Sequence, residues 1–203
     1  MENVKEKIAI ASDHAGFHLK EKIKLNLEEN GYGVLDLGTN SEEAVDYPDY
    51  GKALAKNILK GNVKKGIALC GTGIGISIAA NRFTGIRAAL CSNKEMAIQA
   101  RKHNNANIIA LGARSIDFQC ANKCVDAFLN TEFEGERHIN RLEKIEQKIL
   151  HNEDIDLENA VLNELNRQKY TIELIASENF ASKNVMRYQG LSLIHISEPT
   201  RPY

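Results

Sequence analysis

The chain has 203 residues, of which 43% are hydrophobic and 26% charged, as is normal for a globular protein with one ordinary domain and an extension. Its formal net charge of -1 at pH 7 argues against a general role on nucleic acid or membrane surfaces, and no apolar run approaches the length of a membrane span. The first residues lack the core of a signal peptide. We therefore expect a cytoplasmic protein with no nucleic-acid partner and no membrane partner.

Short apolar runs alternate with amphipathic stretches through the first 130 residues. Strands are predicted over residues 7–12, 32–37, 66–70, 86–91 and 108–112. Helices are predicted over residues 17–29, 48–59, 74–82 and 94–102, and from a cap at Ser115 to about Leu129. This alternation predicts an α/β fold: a three-layer, Rossmann-like open parallel sheet of about five strands with helices on both faces. A C-terminal helical extension would follow.

Polar and reactive residues follow four of the predicted strands. They lie at 12–14 (Ser-Asp-His), 70–73 (Cys-Gly-Thr-Gly), 91–93 (Cys-Ser-Asn) and 112–114 (Gly-Ala-Arg). Open parallel sheets bind ligands beyond the carboxyl ends of their strands. The sequence therefore predicts a functional site at that edge of the sheet.

The third predicted strand ends in a thiol, Cys70, which the glycine-rich turn Gly71–Gly75 follows directly. Backbone amides in such turns stabilise oxyanions or phosphates. The turn is not a dinucleotide-binding GxGxxG, because Ile76 stands where the last glycine would be, and no Walker-type GKS or GKT is present. A thiol beside amide donors and a hydroxyl can remove a proton next to a carbonyl and hold the enediolate. A buried structural cysteine is the alternative.

Three further candidates are each open to a structural interpretation. Asp13 and His14 could bind sugar hydroxyls or phosphate, or Asp13 could simply cap a helix. His103 could act on a substrate or lie at a solvated helix end. Arg137 and Arg141 are four residues apart, so on a helix they would share one face and could bind one phosphate. A solvated basic face is the alternative for that pair.

Taken together, these residues resemble ribose-5-phosphate isomerase type B, of the sugar-phosphate isomerase group that includes galactose-6-phosphate isomerase subunits. The resemblance covers about residues 5–150, in the order and spacing of that family. It is carried by residues 12–17 (SDHAGF), 46–48 (DYP), 70–81 (CGTGIGISIAAN), 85–88 (GIRA), 103–107 (HNNAN) and 135–141 (GERHINR).

The resemblance implies a catalytic role for several of these residues. Cys70 would be the base that moves a proton between C1 and C2, and Gly71–Gly75 would hold the enediolate with help from Thr72. His103 would promote opening of the furanose ring. Substrate contacts are implied for Asp13, His14, Tyr47, Gly71, Thr72, Gly73, Ile74, Gly75, Asn104, Arg114, Arg137 and Arg141. Some members of the family have serine at the cysteine position and glutamate in the glycine loop, so Cys70 and Gly75 resemble the thiol-base branch.

The implied function is the interconversion of ribose 5-phosphate and ribulose 5-phosphate in the pentose phosphate pathway. The alternatives are isomerisation of a six-carbon phosphosugar, such as galactose 6-phosphate or allose 6-phosphate, and a non-catalytic phosphosugar-binding module. The family needs no metal, and we expect no cofactor. Its sites are built between two subunits, which implies a homodimer or homotetramer.

The C-terminal part of the chain has a different character. Residues 152–186 resemble the N-terminal start of serine hydroxymethyltransferase, through the run from Glu164 to Phe180. The region with that enzyme's pyridoxal-phosphate lysine is absent, so we do not expect its activity here. Residues 191–203 resemble translated sequencing-adaptor read-through. The expected organisation is an isomerase domain over 1–150, a partial segment over 151–190 that is not an independent domain, and a disordered or artefactual tail over 191–203.

Overall fold

A computed structural model describes residues 5–146 and Asn163. The strands are β1 (Lys5–Ser12), β2 (Tyr32–Asp36), β3 (Lys65–Cys70), β4 (Ala88–Leu90) and β5 (Ile108–Gly112). The helices are α1 (Phe17–Glu29), α2 (Tyr47–Leu59), α3 (Ile74–Ala80), α4 (Lys94–Asn104), α5 (Phe118–Asn130) and α6 (Ile139–Glu146). Single 3-10 turns at His14–Gly16 and Glu136–His138 precede α1 and α6. No helix of these described residues is long and apolar enough to cross a membrane.

The five strands form one parallel sheet in the order β2-β1-β3-β5-β4. From β1 the chain first adds β2 on one side and then crosses to add β3 on the other. The neighbouring strands β1 and β3 therefore leave the sheet toward opposite faces at their carboxyl ends. In open α/β sheets this topological switch point is where ligands bind.

The first central strand, β1, presents large side chains to one face of the sheet and small ones to the other. Ile8 and Ile10 of β1 join a core with α1, α4 and α5, whereas Ala9 and Ala11 join a second core with α2 and α3. The alternation follows from the two-residue period of a strand. The fold-class prediction is confirmed: helices cover both faces of a five-stranded parallel sheet.

Several predicted boundaries differ from the structure, and three of them involve a helix cap, the edge strand or a candidate site residue. The last predicted helix is capped by Asp117, whose side chain accepts a hydrogen bond from the Cys120 amide, whereas Ser115 lies in the turn before it and donates its own amide to Gly112. The predicted strand over 86–91 shortens to β4, because this edge strand has a neighbour on one side alone. His103 lies inside α4, which runs two residues further than predicted.

The predictions for the C-terminal part fall largely outside the described residues. The first of the two units into which the chain divides spans Met1–Gln147, and α6 is described as far as Glu146. The segment over 151–190 and the tail over 191–203 are therefore not tested. The domain organisation stays a prediction.

A buried ion pair ties α1 to the end of β2. The Lys20 ammonium, 0% exposed, lies 2.9 and 2.7 Å from the two carboxylate oxygens of Asp36. Asp36 also accepts the Gly38 amide, and the segment continues to pair with β1 because Gly38 and Thr39 bond both backbone groups of Ser12. The Lys20–Asp36 pair thus fixes the segment that is hydrogen-bonded to the end of β1, the strand that directly precedes Asp13 and His14.

Asp36→Asn is expected to destabilise the fold by about 3 kcal/mol at pH 7, because Lys20 would stay buried without its main counter-charge. Burial alone would raise the pKa of Asp36, but hydrogen bonds from Lys20, Gly38 and Lys24 lower it below its ordinary value. A lowered folded-state pKa gives stability that is present above the unfolded pKa and lost as pH falls through the folded one. In urea unfolding, the difference in free energy of unfolding between Asp36→Asn and wild type should therefore become smaller below about pH 4.

Glu21→Gln is the matched control, because Glu21 also contacts Lys20 but its side chain is 39% exposed. This variant should lose less stability at pH 7. Two results would contradict a dominant Lys20–Asp36 pair. One is an equal loss of stability in Glu21→Gln and Asp36→Asn, and the other is a loss of stability in Asp36→Asn that does not change with pH.

Candidate active site

Cys70 is the last residue of β3 and lies at the switch point of the sheet. It is 4% exposed. The amide of Asp13, which follows β1, donates to the carbonyl of Leu69, so the ends of the two strands are joined. The thiol predicted to be reactive and the first predicted sugar-binding residue therefore leave the sheet side by side.

The turn after β3 aims a backbone amide at the sulfur. The Gly73 N–H donates to Cys70 Sγ at 3.1 Å. Gly73 has a φ of +77°, and a Cβ there would lie 2.5 Å from a methyl of Leu90 and 2.9 Å from the carbonyl carbon of Leu111. Glycine is required at this position on both grounds. The turn after β3 thus donates a hydrogen bond to the sulfur and fixes its position.

Further donors of the turn are free to meet a ligand. Within the described residues, the amides of Gly71 and Thr72 have no protein acceptor, whereas the Ile74 amide bonds the Thr72 hydroxyl at 3.3 Å. Thr72 and Ile74 are exposed. The Arg114 guanidinium lies over Gly71, where a Cβ would be 3.4 Å from Nη1. The turn can thus offer amides and a positive charge to an oxyanion.

Residues of three other segments complete this side. Asp13, 6% exposed, accepts the Gly16 amide at 3.0 Å and so also caps the 3-10 turn, as its structural interpretation predicted. His14 Nδ1 lies 3.2 Å from both backbone N and O of Val45. The ring of Tyr47 packs on Gly75, where a Cβ would lie 2.6 Å from Cζ. We call the set Asp13, His14, Tyr47, Cys70, Gly71–Gly75 and Arg114 the thiol cluster.

The remaining predicted residues form a second group. His103 and Asn104 end α4, Arg137 lies in the 3-10 turn, and Arg141 lies in α6. The two arginines are therefore not on one continuous α-helix, although the turn leads directly into α6. With Glu134 and His138, which contact His103, these residues are called the histidine cluster.

Two side chains of the histidine cluster had no predicted role. The imidazoles of His103 and His138 stack with centroids 4.6 Å apart and planes 13° apart. The Glu134 carboxylate lies 3.9 Å from His103 Nε2 and 3.8 Å from His138 Nε2. The sequence offered one signal, because Glu134 and His138 have helical i, i+4 spacing next to Arg137.

The two clusters lie at opposite ends of the strands: the thiol cluster at the carboxyl ends and the histidine cluster at the amino end of β5. Cys70 pairs with Gly112 at the carboxyl end of β5, whereas α4 ends just before β5 begins. The length of β5 separates the two ends by roughly 15 Å at ~3.3 Å per residue. One protomer therefore does not bring Cys70 and His103 together.

Comparison with known proteins assigns the family. The family described as Ribose/Galactose Isomerase matches residues 8–145. Ribose-5-phosphate isomerase B of Escherichia coli is 47% identical over 140 residues, which are 69% of this chain and 94% of the relative. The chain belongs to the ribose/galactose isomerase family. This confirms the resemblance found in the sequence and makes the protein an isomerase.

Solved structures of relatives agree with this family assignment. A ribose 5-phosphate isomerase of Thermotoga maritima is 57% identical with a TM-score of 0.69, covering 70% of this chain and 97% of that one. Ribose-5-phosphate isomerase B of Clostridium thermocellum is 50% identical with a TM-score of 0.68, covering 69% and 95%. A second family, serine hydroxymethyltransferase, matches residues 150–197, which contain the 152–186 of the predicted resemblance and extend beyond it at both ends.

Proposed function

We propose that the chain interconverts ribose 5-phosphate and ribulose 5-phosphate through an enediolate, with Cys70 as the base. The observation that carries the proposal is the sulfur at the switch point, 3.1 Å from the Gly73 N–H and beside the unbonded amides of Gly71 and Thr72. The names of the relatives supply the substrate. The position of the sulfur supports its role as the base, because it puts a proton acceptor beside hydrogen-bond donors for the developing negative charge.

The proposed proton transfer needs one base and several donors. The Cys70 thiolate would take the proton from C2 of the open-chain aldose, and the C–H electrons would form the C1–C2 double bond while the C1 oxygen becomes an oxyanion. Amides of Gly71–Gly75, with Thr72, would bind that oxyanion. The thiol would return its proton to C1 as the proton of the C2 hydroxyl moves to the C1 oxygen. Loss of one such donor costs about 3 kcal/mol in the transition state.

The other residues would hold the sugar and its phosphate. Asp13, His14 and Asn104 are proposed to contact the hydroxyls, and Tyr47 to line the pocket. His103 is proposed to open the furanose ring. Arg114, Arg137 and Arg141 are proposed to serve the phosphate end, with guanidinium groups whose geometry suits bidentate contacts.

The separation of the clusters supports a site made by two copies of the chain. Neither cluster holds both the base and the ring-opening group, so we propose that the thiol cluster of one protomer faces the histidine cluster of its partner. A two-fold axis would make two such sites in a dimer. A homotetramer would contain the same pairs.

Exposed apolar surface next to both clusters supports this pairing. Ile74 and Ile78 of α3 are 51% and 59% exposed and lie one turn apart beside the glycine turn. At the other end of the strands, a cavity of about 340 Å³ is lined by Asn104, Ile145 and the apolar residues Ile86 and Ala89. Exposed apolar patches of this kind mark protein interfaces.

Arg137→Ala is expected to raise KM for ribose 5-phosphate roughly tenfold or more, because a charge-assisted contact to the phosphate is lost. kcat should change less, since the phosphate does not take part in the proton transfer. Steady-state kinetics measure both constants. Arg82, an exposed arginine outside both clusters, gives the control variant Arg82→Ala. An unchanged KM in Arg137→Ala would remove that residue from the phosphate end.

A coupled assay with ribose 5-phosphate, galactose 6-phosphate and allose 6-phosphate tests the proposed function. Turnover should be highest with the five-carbon substrate. Preference for a six-carbon sugar would overturn the substrate assignment, and binding of all three without turnover would support the phosphosugar-binding alternative. As part of the same proposal we place the reaction in the cytoplasm, which the four free cysteines support because reducing compartments keep thiols unpaired.

A further inference from the structure

His138 is the most deeply buried member of the histidine cluster and stands beneath His103. It is 3% exposed, whereas the His103 side chain is 40% exposed. Their rings overlap at 4.6 Å, and Arg137 Nε donates to His138 Nε2 at 3.4 Å. The stacking fixes the plane of the outer ring while leaving its edge accessible.

Glu134 is held in place from the His103 side. Its amide donates to the carbonyl of Lys102 at 3.1 Å, and its Oε1 lies 3.2 Å from the Lys102 ammonium. Its other oxygen is left facing the two imidazoles. A hydrogen bond from Lys102 lowers the pKa of Glu134, so this carboxylate stays negative at neutral pH.

His138, the inner ring of the pair, stays neutral near neutral pH. Burial lowers its pKa, and the positive groups His103, Arg137 and Arg141 lower it further against the opposing effect of Glu134. The hydrogen bond from Arg137 likewise needs an unprotonated Nε2 on His138. His138 is therefore suited to support its neighbour, and His103 is the ring with the open edge.

We propose that His138 and Glu134 are positioning residues for His103: His138 holds the imidazole by stacking, and the Glu134 carboxylate, 3.9 Å from Nε2, orients its edge. This inference rests on the proposed function, which gives His103 the opening of the furanose ring. Ring opening needs a proton delivered to the ring oxygen as the C1–O bond breaks, and a proton taken from the C1 hydroxyl. A fixed, protonatable imidazole suits the first of these transfers.

Isotope exchange separates this role from a purely structural one. Ribose 5-phosphate is mainly a furanose and must be opened, whereas ribulose 5-phosphate cannot close such a ring because its 5-hydroxyl carries the phosphate. Exchange of the C1 proton of ribulose 5-phosphate with D₂O through the enediolate therefore needs the proton-transfer base and no ring step. A change that impairs His103 alone should slow isomerisation of ribose 5-phosphate more than this exchange, and a change that disturbs the phosphate contact or the fold should slow both.

The experiment measures two rates for Glu134→Gln, His138→Ala and His138→Phe: kcat/KM for isomerisation of ribose 5-phosphate, and exchange of the C1 proton of ribulose 5-phosphate in D₂O. Glu134→Gln and His138→Ala should lose roughly tenfold or more in isomerisation, a modest part of the usual contribution of acid–base catalysis, and less in the exchange. His138→Phe, which can still stack, should recover part of the loss seen in His138→Ala. Thermal unfolding of each variant verifies that it folds.

Equal losses in isomerisation and in C1 exchange, or no loss in any variant, would overturn the inference. The two imidazoles and Glu134 could also ligate a metal ion, since their ligand atoms lie within 4.8 Å of one another. Activity that is lost to a chelator and restored by Zn²⁺ would overturn the inference in favour of that site. Failure of the wild-type protein to turn over either sugar phosphate would instead refute the proposed function.

Discussion

Cys70→Ala is expected to lower kcat for ribose 5-phosphate by roughly 10³-fold, within the range that a positioned base contributes. The Gly71–Gly75 amides would remain, so the variant should still bind substrate with a KM near that of wild type. The fold should persist, because alanine fills most of the space of a small buried side chain and the β3–β5 pairing does not depend on the sulfur. Stopped assays and thermal unfolding measure the two effects.

Cys91→Ala is the matched control for this variant. Cys91 is also a buried cysteine that directly follows a strand of the sheet, and it is 1% exposed. Burial raises the pKa of its thiol to about 11, so it is protonated at neutral pH and cannot serve as a base there. Near-normal turnover in Cys70→Ala, or an equal loss in Cys91→Ala, would contradict the role proposed for Cys70.

Two inactive variants are expected to restore activity to each other when they form one dimer. One chain would carry Cys70→Ala, and the other would carry His103→Asn together with Arg137→Ala. In the mixed dimer one site has both clusters intact and the other has neither, so about half of the wild-type activity per dimer should return. Chains with different affinity tags allow the mixed dimer to be isolated.

A mixed dimer as inactive as its parents would show that the site does not join the two clusters across an interface. A control dimer of two differently tagged Cys70→Ala chains should stay inactive, which excludes an effect of the tags. The expected recovery depends on the placement of the clusters at opposite ends of the strands. It therefore tests a consequence of the topology rather than of any one side chain.

Local patterns in the sequence predicted most of the sheet and the position of Asp13, Cys70 and the glycine turn, whereas Tyr47 entered through the family resemblance. The apolar run that ends at Cys70 and the glycines after it specify a strand and a turn, and the strand–helix alternation predicts parallel pairing. The rule that ligands bind at carboxyl strand ends then placed Asp13 and Cys70 at one edge. Each of these inferences uses residues that are close together in the chain.

The sequence did not predict the features that depend on packing between distant segments. The burial of Lys20 against Asp36 and the stacking of His138 on His103 arise where separate elements meet. The helix cap is Asp117, whereas Ser115 was predicted. Both residue types cap helices well, so the geometry of the turn decides between them. The division into two clusters arises because α4 connects two parallel strands. It therefore runs opposite to them and ends at the amino end of β5, which separates His103 from Cys70.

Isomerisation of ribose 5-phosphate in D₂O, followed by NMR, tests the central claim most directly. An enediolate formed by a thiol base exposes the transferred proton to solvent, so deuterium should appear at C1 of ribulose 5-phosphate with the wild-type protein and not with Cys70→Ala. Cys91→Ala should incorporate deuterium like wild type. Conversion with no deuterium incorporation, even after the reaction has run to equilibrium through many turnovers, would indicate direct hydride transfer between C1 and C2 and would contradict the account of Cys70 as the proton-transfer base.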